Sequence, residues 1–200
     1  MIQDEEARGK TTQPLKWSEY VRLVSYLEAD HKKGRQLLFV VIAGLTGLRV
    51  GDILRLKWSD MMEERVEIRE EKTGKKKLIY INQKIHEIVD NQLKKEDLTE
   101  SLNRRIFKVC YKTIQRDVAD MMLEYDIEYD YDNYAASPHM FRKTWGRRAY
   151  EIEDGMTEAR SDERLLVLSK AFNHFDTNET RRYLGITQDS IESLNKNLWI

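Results

Sequence analysis

The run Leu37-Leu-Phe-Val-Val-Ile-Ala-Gly-Leu45 is apolar nearly all the way round a helix, and this constrains the fold more than any other feature of the chain. A helix without a polar face has to lie inside a core, so the remaining elements must pack around it. The run is too short to span a bilayer, which takes about 20 apolar residues. Nor does a basic segment followed by an apolar signal core precede it. With 200 residues, 34% of them charged and 40% hydrophobic, and only two prolines, the chain has the size and composition of one helix-rich domain with an expected cytoplasmic location. The single cysteine, Cys110, allows no internal disulfide and supplies no zinc site, so neither oxidation nor a metal is expected to hold the fold.

Periodicity assigns the other elements. Residues 1–14 are read as a flexible arm, followed by a helix capped by Ser18 and carrying Tyr20, Val21, Leu23 and Leu27. The central apolar helix begins near Gly34, and Gly44 and Gly47 break the pattern just before Arg49. Arg65-Val-Glu-Ile-Arg69 and Lys77-Leu-Ile-Tyr-Ile81 read as the two strands of a hairpin with its tip near Gly74. Helical stripes follow at Ile85, Ile88, Val89, Leu93 and at Ile114, Val118, Met121, Met122. The acidic, tyrosine-rich segment 124–136 reads as a surface loop. Pro138 opens a helix bearing His139 and Arg142, and further helices are expected over Thr157–Phe172, Thr177–Tyr183 and Thr187–Leu194. The predicted class is α+β, mainly α, with a small antiparallel sheet on one side.

A net charge of −1 and a pI near 6.5 do not advertise a nucleic-acid binder, but the basic residues are clustered. They gather at 72–77, 104–116 and 142–148 and at Arg181-Arg182, whereas 117–132 is acidic. One face meeting phosphate and an acidic face opposite would produce this pattern. Lys75, Lys76, Arg104, Arg105, Lys112, Lys143 and Arg181 are the candidate DNA contacts.

The chemistry is carried by a dispersed set of residues: Arg49, Lys72, His139, Arg142, His174 and Tyr183. Attack on a phosphodiester requires neutralising an anion that gains charge in the transition state, and two planar guanidiniums, Arg49 and Arg142, suit its non-bridging oxygens. A tyrosine hydroxyl has a pKa near ~10, so Tyr183 needs a proton acceptor or a positive neighbourhood to act as a nucleophile, and Arg181 and Arg182 flank it. His139 and Arg142 are three residues apart, so on a helix they share a face and one phosphate can meet both. Asp52, three residues after Arg49, reads as its pairing partner. Each residue alone is commonplace; the order and spacing of all six are not.

Together these residues resemble the catalytic domain of the tyrosine recombinases, or phage-type integrases, from about Leu15 onwards. Arg49 stands in a Thr-Gly-Leu-Arg box with Asp52 at its usual acidic place, Lys72 in the hairpin-lysine box, and His139 and Arg142 in the His-x-x-Arg box. His174 stands in the box usually read Leu-Gly-His, with Asn173 replacing the glycine, and Tyr183 takes the nucleophile position. The resemblance implies a 3′-phosphotyrosine intermediate and a free 5′-hydroxyl, with neither metal nor cofactor. It makes His139 the proton acceptor from tyrosine, His174 a hydrogen-bond donor to the phosphate, and Lys72, with Lys75, Lys76 and Lys77 alongside it, the acid that protonates the departing 5′ oxygen.

It also implies a partner, double-stranded DNA, on which a homo-tetramer assembles from subunits that associate weakly or are monomeric without it, with an accessory DNA-bending protein as a further partner. No membrane is involved. Residues 15–186 would form the catalytic domain, and 187–200, with Ile191, Leu194, Leu198 and Trp199, a tail that packs on a neighbouring subunit. Wording such as Arg142-Lys-Thr-Trp-Gly146 is similar to that of the short, single-domain bacterial integrases of mobile elements, which favours a naturally short protein over an excised domain. DNA integration, excision or resolution is the expected function. A type IB topoisomerase-like nicking and closing enzyme and a non-catalytic DNA-binding regulator are the alternatives.

Overall fold

The central apolar run becomes a helix over Gly34–Thr46, in which Leu37 to Gly44 are all buried. The computed structural model of the chain describes residues 10–96, 102–151 and 158–186. In chain order these hold α1 (Trp17–Ala29), α2 (Gly34–Thr46), α3 (Val50–Ile53), a 3₁₀ turn (Trp58–Met62), β1 (Arg65–Arg69), β2 (Lys76–Tyr80), α4 (Gln83–Glu96), α5 (Tyr111–Glu124), α6 (His139–Glu151), α7 (Glu158–Phe172) and α8 (Thr177–Leu184). The chain divides into two compact units, with the break between Trp145 and Gly146 inside α6.

In the first unit α1, α4 and α5 turn their predicted stripes onto α2, except that Val21 of α1 lies on the exposed side. Leu23 and Leu27, Ile85, Ile88 and Val89, and Ile114, Val118, Met121 and Met122 are all essentially inaccessible. Burying each such side chain contributes about 1.5–3 kcal/mol, which is why an α2 without a polar face is tolerated. Gly44 is the point of closest approach: a Cβ there would lie 2.4 Å from the Tyr20 ring. Arg35 at the start of α2 forks onto Asp117 of α5 with bonds of 3.0 and 3.1 Å. The acidic stretch is therefore partly a structural counterpart to a basic residue.

The sheet is one hairpin, antiparallel, with Val66 opposite Ile79 and Ile68 opposite Lys77. Its tip turns at Gly74, whose φ of +66° is the left-handed conformation that favours glycine. Strand β2 starts at Lys76, one residue before expectation, and α1 starts at Trp17 with Ser18 inside it. Ser18 makes no cap; the backbone entering α1 is instead fixed by the Leu15 N–H, which donates to Thr144 Oγ1 at 2.9 Å.

Residues 1–9 of the expected arm lie outside the described residues. The rest is tied down: the Thr11 carbonyl accepts from Ala135 N–H at 2.9 Å, and Gln13 N–H donates to Tyr129 Oη at 3.1 Å. The tyrosine-rich segment is irregular as expected after Glu124, but Ile127 is buried and burial pushes the Tyr129 hydroxyl up to about 12. The expected helix at 187–194 and the tail to 200 lie outside the described residues.

In the second unit Leu165, Leu168, Phe172 and Leu184 are buried. Gly146 admits the Phe172 ring, which would be 2.4 Å from a Cβ at that position. Asp176 caps α8 by accepting from Glu179 N–H at 2.7 Å, an arrangement typical of helix starts.

Candidate phosphodiester-cleavage site

The first unit assembles its part of the site around the turn that ends α2. Gly47 closes that helix with φ +62°, and its carbonyl accepts from Nη1 of Arg142, a residue of α6 that is only 2% exposed. Two residues later Arg49 caps α3. Segments far apart in sequence therefore bring the Arg142 guanidinium within two residues of Arg49 along the turn.

No smaller change would disturb that turn more directly than a methyl on Gly47. A Cβ would meet the Trp145 ring at 2.4 Å, and a non-glycine residue in the left-handed region costs about 1–2 kcal/mol on its own. Gly47→Ala is expected to lose about 2 kcal/mol of stability and to weaken DNA cleavage, because the Arg142 acceptor moves with the turn. Denaturant unfolding and a cleavage assay on the same preparation check this.

Arg49 does not pair with Asp52. Asp52 accepts instead from Arg55 Nη2 at 2.9 Å and from Glu71 N–H at 2.8 Å, fastening α3 to the hairpin. The partner of Arg49 is Glu70, a residue the sequence reading passed over, at 2.8 Å. The Glu70 side chain is inaccessible to solvent, and it also accepts from the Thr73 hydroxyl at 2.7 Å. Burial pushes its carboxyl upward, but the Thr73 bond and the Arg49 guanidinium outweigh this and hold it below the usual carboxylate range.

The predicted lysine, Lys72, is exposed in the hairpin turn. Lys77, in contrast, is half-buried, and burial together with the Arg142 and Arg49 guanidiniums pulls its ammonium down to about 8, against the opposing pull of Glu70 and Asp52. His139 begins α6 one turn before Arg142 and is half-buried.

In the second unit His174 and Tyr183 meet edge to face, ring centroids 5.0 Å apart, and both pack on Phe172. His174 Nδ1 lies 2.9 Å from the hydroxyl of the buried Thr180, which fixes the ring. Asn173, the substitute for glycine, has φ +58° where α7 ends. That position demands a left-handed residue; glycine adopts it without penalty and asparagine is the next most tolerant. Asn173→Ala should cost about 1 kcal/mol and Asn173→Gly almost nothing, as thermal unfolding of the two variants would show.

The candidate DNA contacts separate into two groups. Lys75, Arg104, Arg105 and Lys112 are exposed. The two arginines are presented beside the 3₁₀ turn, where Trp58 N–H donates to the Arg104 carbonyl at 3.1 Å. Arg105 also lines a groove of about 670 Å³ with Arg55, Lys108 and Tyr111, basic residues the sequence reading had not singled out among them. The others are engaged within the protein: Lys76 by Glu67 at 2.8 Å, Arg181 by Asp162 at 2.7 Å, and Lys143 by the Thr12 carbonyl, with burial lowering the Lys143 ammonium. Among the described residues no group of His, Cys, Asp and Glu is arranged to hold a metal ion, and no helix is long and apolar enough to cross a membrane.

Comparison with known proteins places this geometry in context. The chain is 26% identical over 192 residues to the probable integrase/recombinase YoeC of Bacillus subtilis (strain 168), covering 92% of this chain and 95% of that one. Its fold matches the catalytic domain of bacteriophage HP1 integrase with a TM-score of 0.58 at 19% identity, over 94% of this chain and 95% of the other. The XerH site-specific recombinase bound to palindromic difH substrate matches with a TM-score of 0.68 at 16% identity, over 94% of this chain and 54% of that one. The XerA recombinase matches at 0.67 and 18%, the present chain spanning 66% of its length. These likenesses fix the fold, and the sequence profile of the phage integrase family extends over residues 13–189, from just before α1 to beyond Tyr183; the chain belongs to the phage integrase family.

Proposed function

We propose that this chain is a tyrosine-type site-specific recombinase that cuts and rejoins DNA through a 3′-phosphotyrosine at Tyr183. The observation that carries the proposal is that the Arg142 guanidinium is held on the Gly47 carbonyl, two residues from Arg49, and that both guanidiniums lie near enough to Lys77 to act on its charge. Buried cations are retained only with partners or a task. Here they would bind the non-bridging oxygens of the scissile phosphate and stabilise the five-coordinate transition state.

In the forward step the Tyr183 oxygen forms a bond to phosphorus while the bond to the 5′ oxygen breaks. The phenolic proton passes to His139, and a lysine protonates the leaving oxygen. His174, its ring held by Thr180, donates a hydrogen bond to the phosphate. The phosphotyrosine bond conserves the energy of the broken bond, so a 5′-hydroxyl from a second duplex can reverse the step without a nucleotide cofactor. Exchange between two sites requires several copies of the chain, and a homo-tetramer on DNA, with or without an accessory bending protein, fits that need. Lys75, Arg104, Arg105 and Lys112 would follow the DNA backbone, making affinity fall with added salt.

The test is covalent trapping. Nicked suicide duplexes drawn from the DNA flanking the gene are incubated with the protein without metal. A protein–DNA adduct that survives denaturation, with the nucleotide mapped by mass spectrometry to the peptide carrying Tyr183, is expected. Attachment at any other residue, or DNA binding without an adduct across the whole tiled set, would overturn the assignment.

A further inference from the structure

The segment that leads into α1 is fastened to the chain on both sides of His139 and Arg142. Ahead of α6, the Thr11 carbonyl accepts from Ala135 N–H at 2.9 Å. Gln13 N–H donates to Tyr129 Oη at 3.1 Å, and that hydroxyl in turn donates to the Ala135 carbonyl at 3.0 Å. Lys10 Nζ adds a bond to the Tyr131 carbonyl at 3.2 Å. Within α6, Lys143 Nζ donates to the Thr12 carbonyl, and Thr144 Oγ1 accepts from Leu15 N–H at 2.9 Å. Residues 10–15 therefore form a strap along the approach to α6 and its second turn, all within the first unit. Pro14 has no N–H and keeps Gln13 extended, so each N–H from Gln13 to Leu15 is either absent or bonded to what the strap crosses.

We propose that Thr144 is a positioning residue for DNA cleavage: its hydroxyl ties the strap to α6 and so sets where that helix holds His139 and Arg142. The inference rests on the reading of this chain as a tyrosine recombinase. A hydroxyl has one proton to give and lone pairs to receive. Thr144 gives its proton to the Met140 carbonyl at 2.9 Å and receives the Leu15 N–H. Leu15, Met140 and Thr144 are buried, at 3%, 0% and 1% exposure, so water does not compete for either bond.

Arg142, two residues before Thr144, bonds the Gly47 carbonyl, so the start of α6 is held from two directions, by the end of α2 and by the strap. Without the Thr144 hydroxyl the buried Leu15 N–H loses its acceptor, and strap or helix must move to supply another. A displacement of about 1 Å in a group that acts on substrate is enough to slow a reaction by ~10²-fold. Lys143 serves the same joint through Thr12, which gives a purpose within the fold to a lysine that a charge run offers as a DNA contact.

The experiment uses the full chain and the suicide duplex identified by trapping. It reads apparent DNA affinity and, separately, the rate of adduct formation at saturating DNA, at a temperature where circular dichroism shows each variant folded. Thr144→Val, similar in shape but without the hydroxyl, is expected to bind DNA as wild type does and to form adduct at least ~10-fold more slowly. Thr144→Ser keeps the hydroxyl and should react at a rate near wild type. Lys143→Met keeps the stem but loses the bond to Thr12; it should also lower the saturated rate, with affinity and its salt dependence unchanged, and it decides the matter if the valine variant fails to fold. Weaker binding with a shallower salt slope in Lys143→Met would make that lysine a DNA contact and remove it from the strap. A valine variant as fast as wild type, a defect abolished by added DNA, or a serine variant as slow as the valine one would overturn the assignment of Thr144. Failure of wild type to attach through Tyr183 would overturn the recombinase reading beneath it.

Discussion

Tyr183→Phe is expected to bind DNA as tightly as wild type and to form no covalent adduct. The substitution removes one oxygen. The ring contacts that hold position 183, with Phe172 at 4.9 Å and His174 at 5.0 Å between centroids, are made by the aromatic face and edge and survive it. Tyr183 is half-buried and its neighbours Thr180 and Leu184 are buried, so α8 keeps its seat and melting should move by less than a few degrees. Phosphate binding, which we assign to cations elsewhere, is expected to be retained. What disappears is the proposed nucleophile; among its neighbours Arg181 and Arg182 are cations, and the Thr180 hydroxyl is fully buried against His174. Electrophoretic mobility shift and denaturing-gel trapping on one suicide duplex measure the two properties separately. A Phe variant that still forms adduct removes Tyr183 from the chemistry.

Much of this was legible in the sequence because it depends on local pattern. The stripes of α4 and α5 and the continuous apolar run of α2 are consequences of which residues avoid water, and each is buried where periodicity put it. The hairpin was legible from its alternation and the Lys72-Thr-Gly-Lys75 tip, because only a left-handed residue such as Gly74 turns that corner. Helix starts were less so: Ser18 looks like a cap, but a tertiary bond donated by the Leu15 N–H to Thr144 Oγ1 fixes the backbone entering α1. Charge runs say nothing about partners far away in sequence, such as the Thr12 carbonyl that Lys143 bonds and the Asp162 that pairs with Arg181.

The site shows the same division. Arg49, His139, Arg142, His174 and Tyr183 were visible as boxes with characteristic spacing. Glu70 was not, yet a signal was present: it has the parity of the hairpin's buried positions, and a charged residue on an apolar face requires either a partner or a purpose. Asn173 gives a further example. As a letter it departs from the box; as a backbone conformation it satisfies the same left-handed requirement as the glycine it replaces.

Glu70 yields the second large effect. Its carboxylate is fully removed from solvent, whereas Arg49 retains 22% of its side-chain exposure, so the cost of separating the pair falls unequally. Glu70→Ala leaves the Arg49 guanidinium beside an emptied, water-excluded space and releases the Thr73 hydroxyl at the hairpin turn. Losing one partner of a buried pair destabilises by about 3–5 kcal/mol, and the expected loss lies near the lower figure because Arg49 can turn towards water. Glu70→Gln keeps the volume and a Thr73 contact and should lose less. The pH dependence identifies the cause. Glu70 is held below its unfolded value of about 4.3, so its contribution is present above that value and is lost as the pH falls through the folded pKa. The gap in unfolding free energy between wild type and Glu70→Gln should therefore be full at neutral pH and close below about pH 4; a gap independent of pH would show that Glu70 acts by packing alone. Both variants should also cleave DNA more slowly, since the fork that Arg49 is proposed to offer to phosphate is held by the same Glu70 carboxylate.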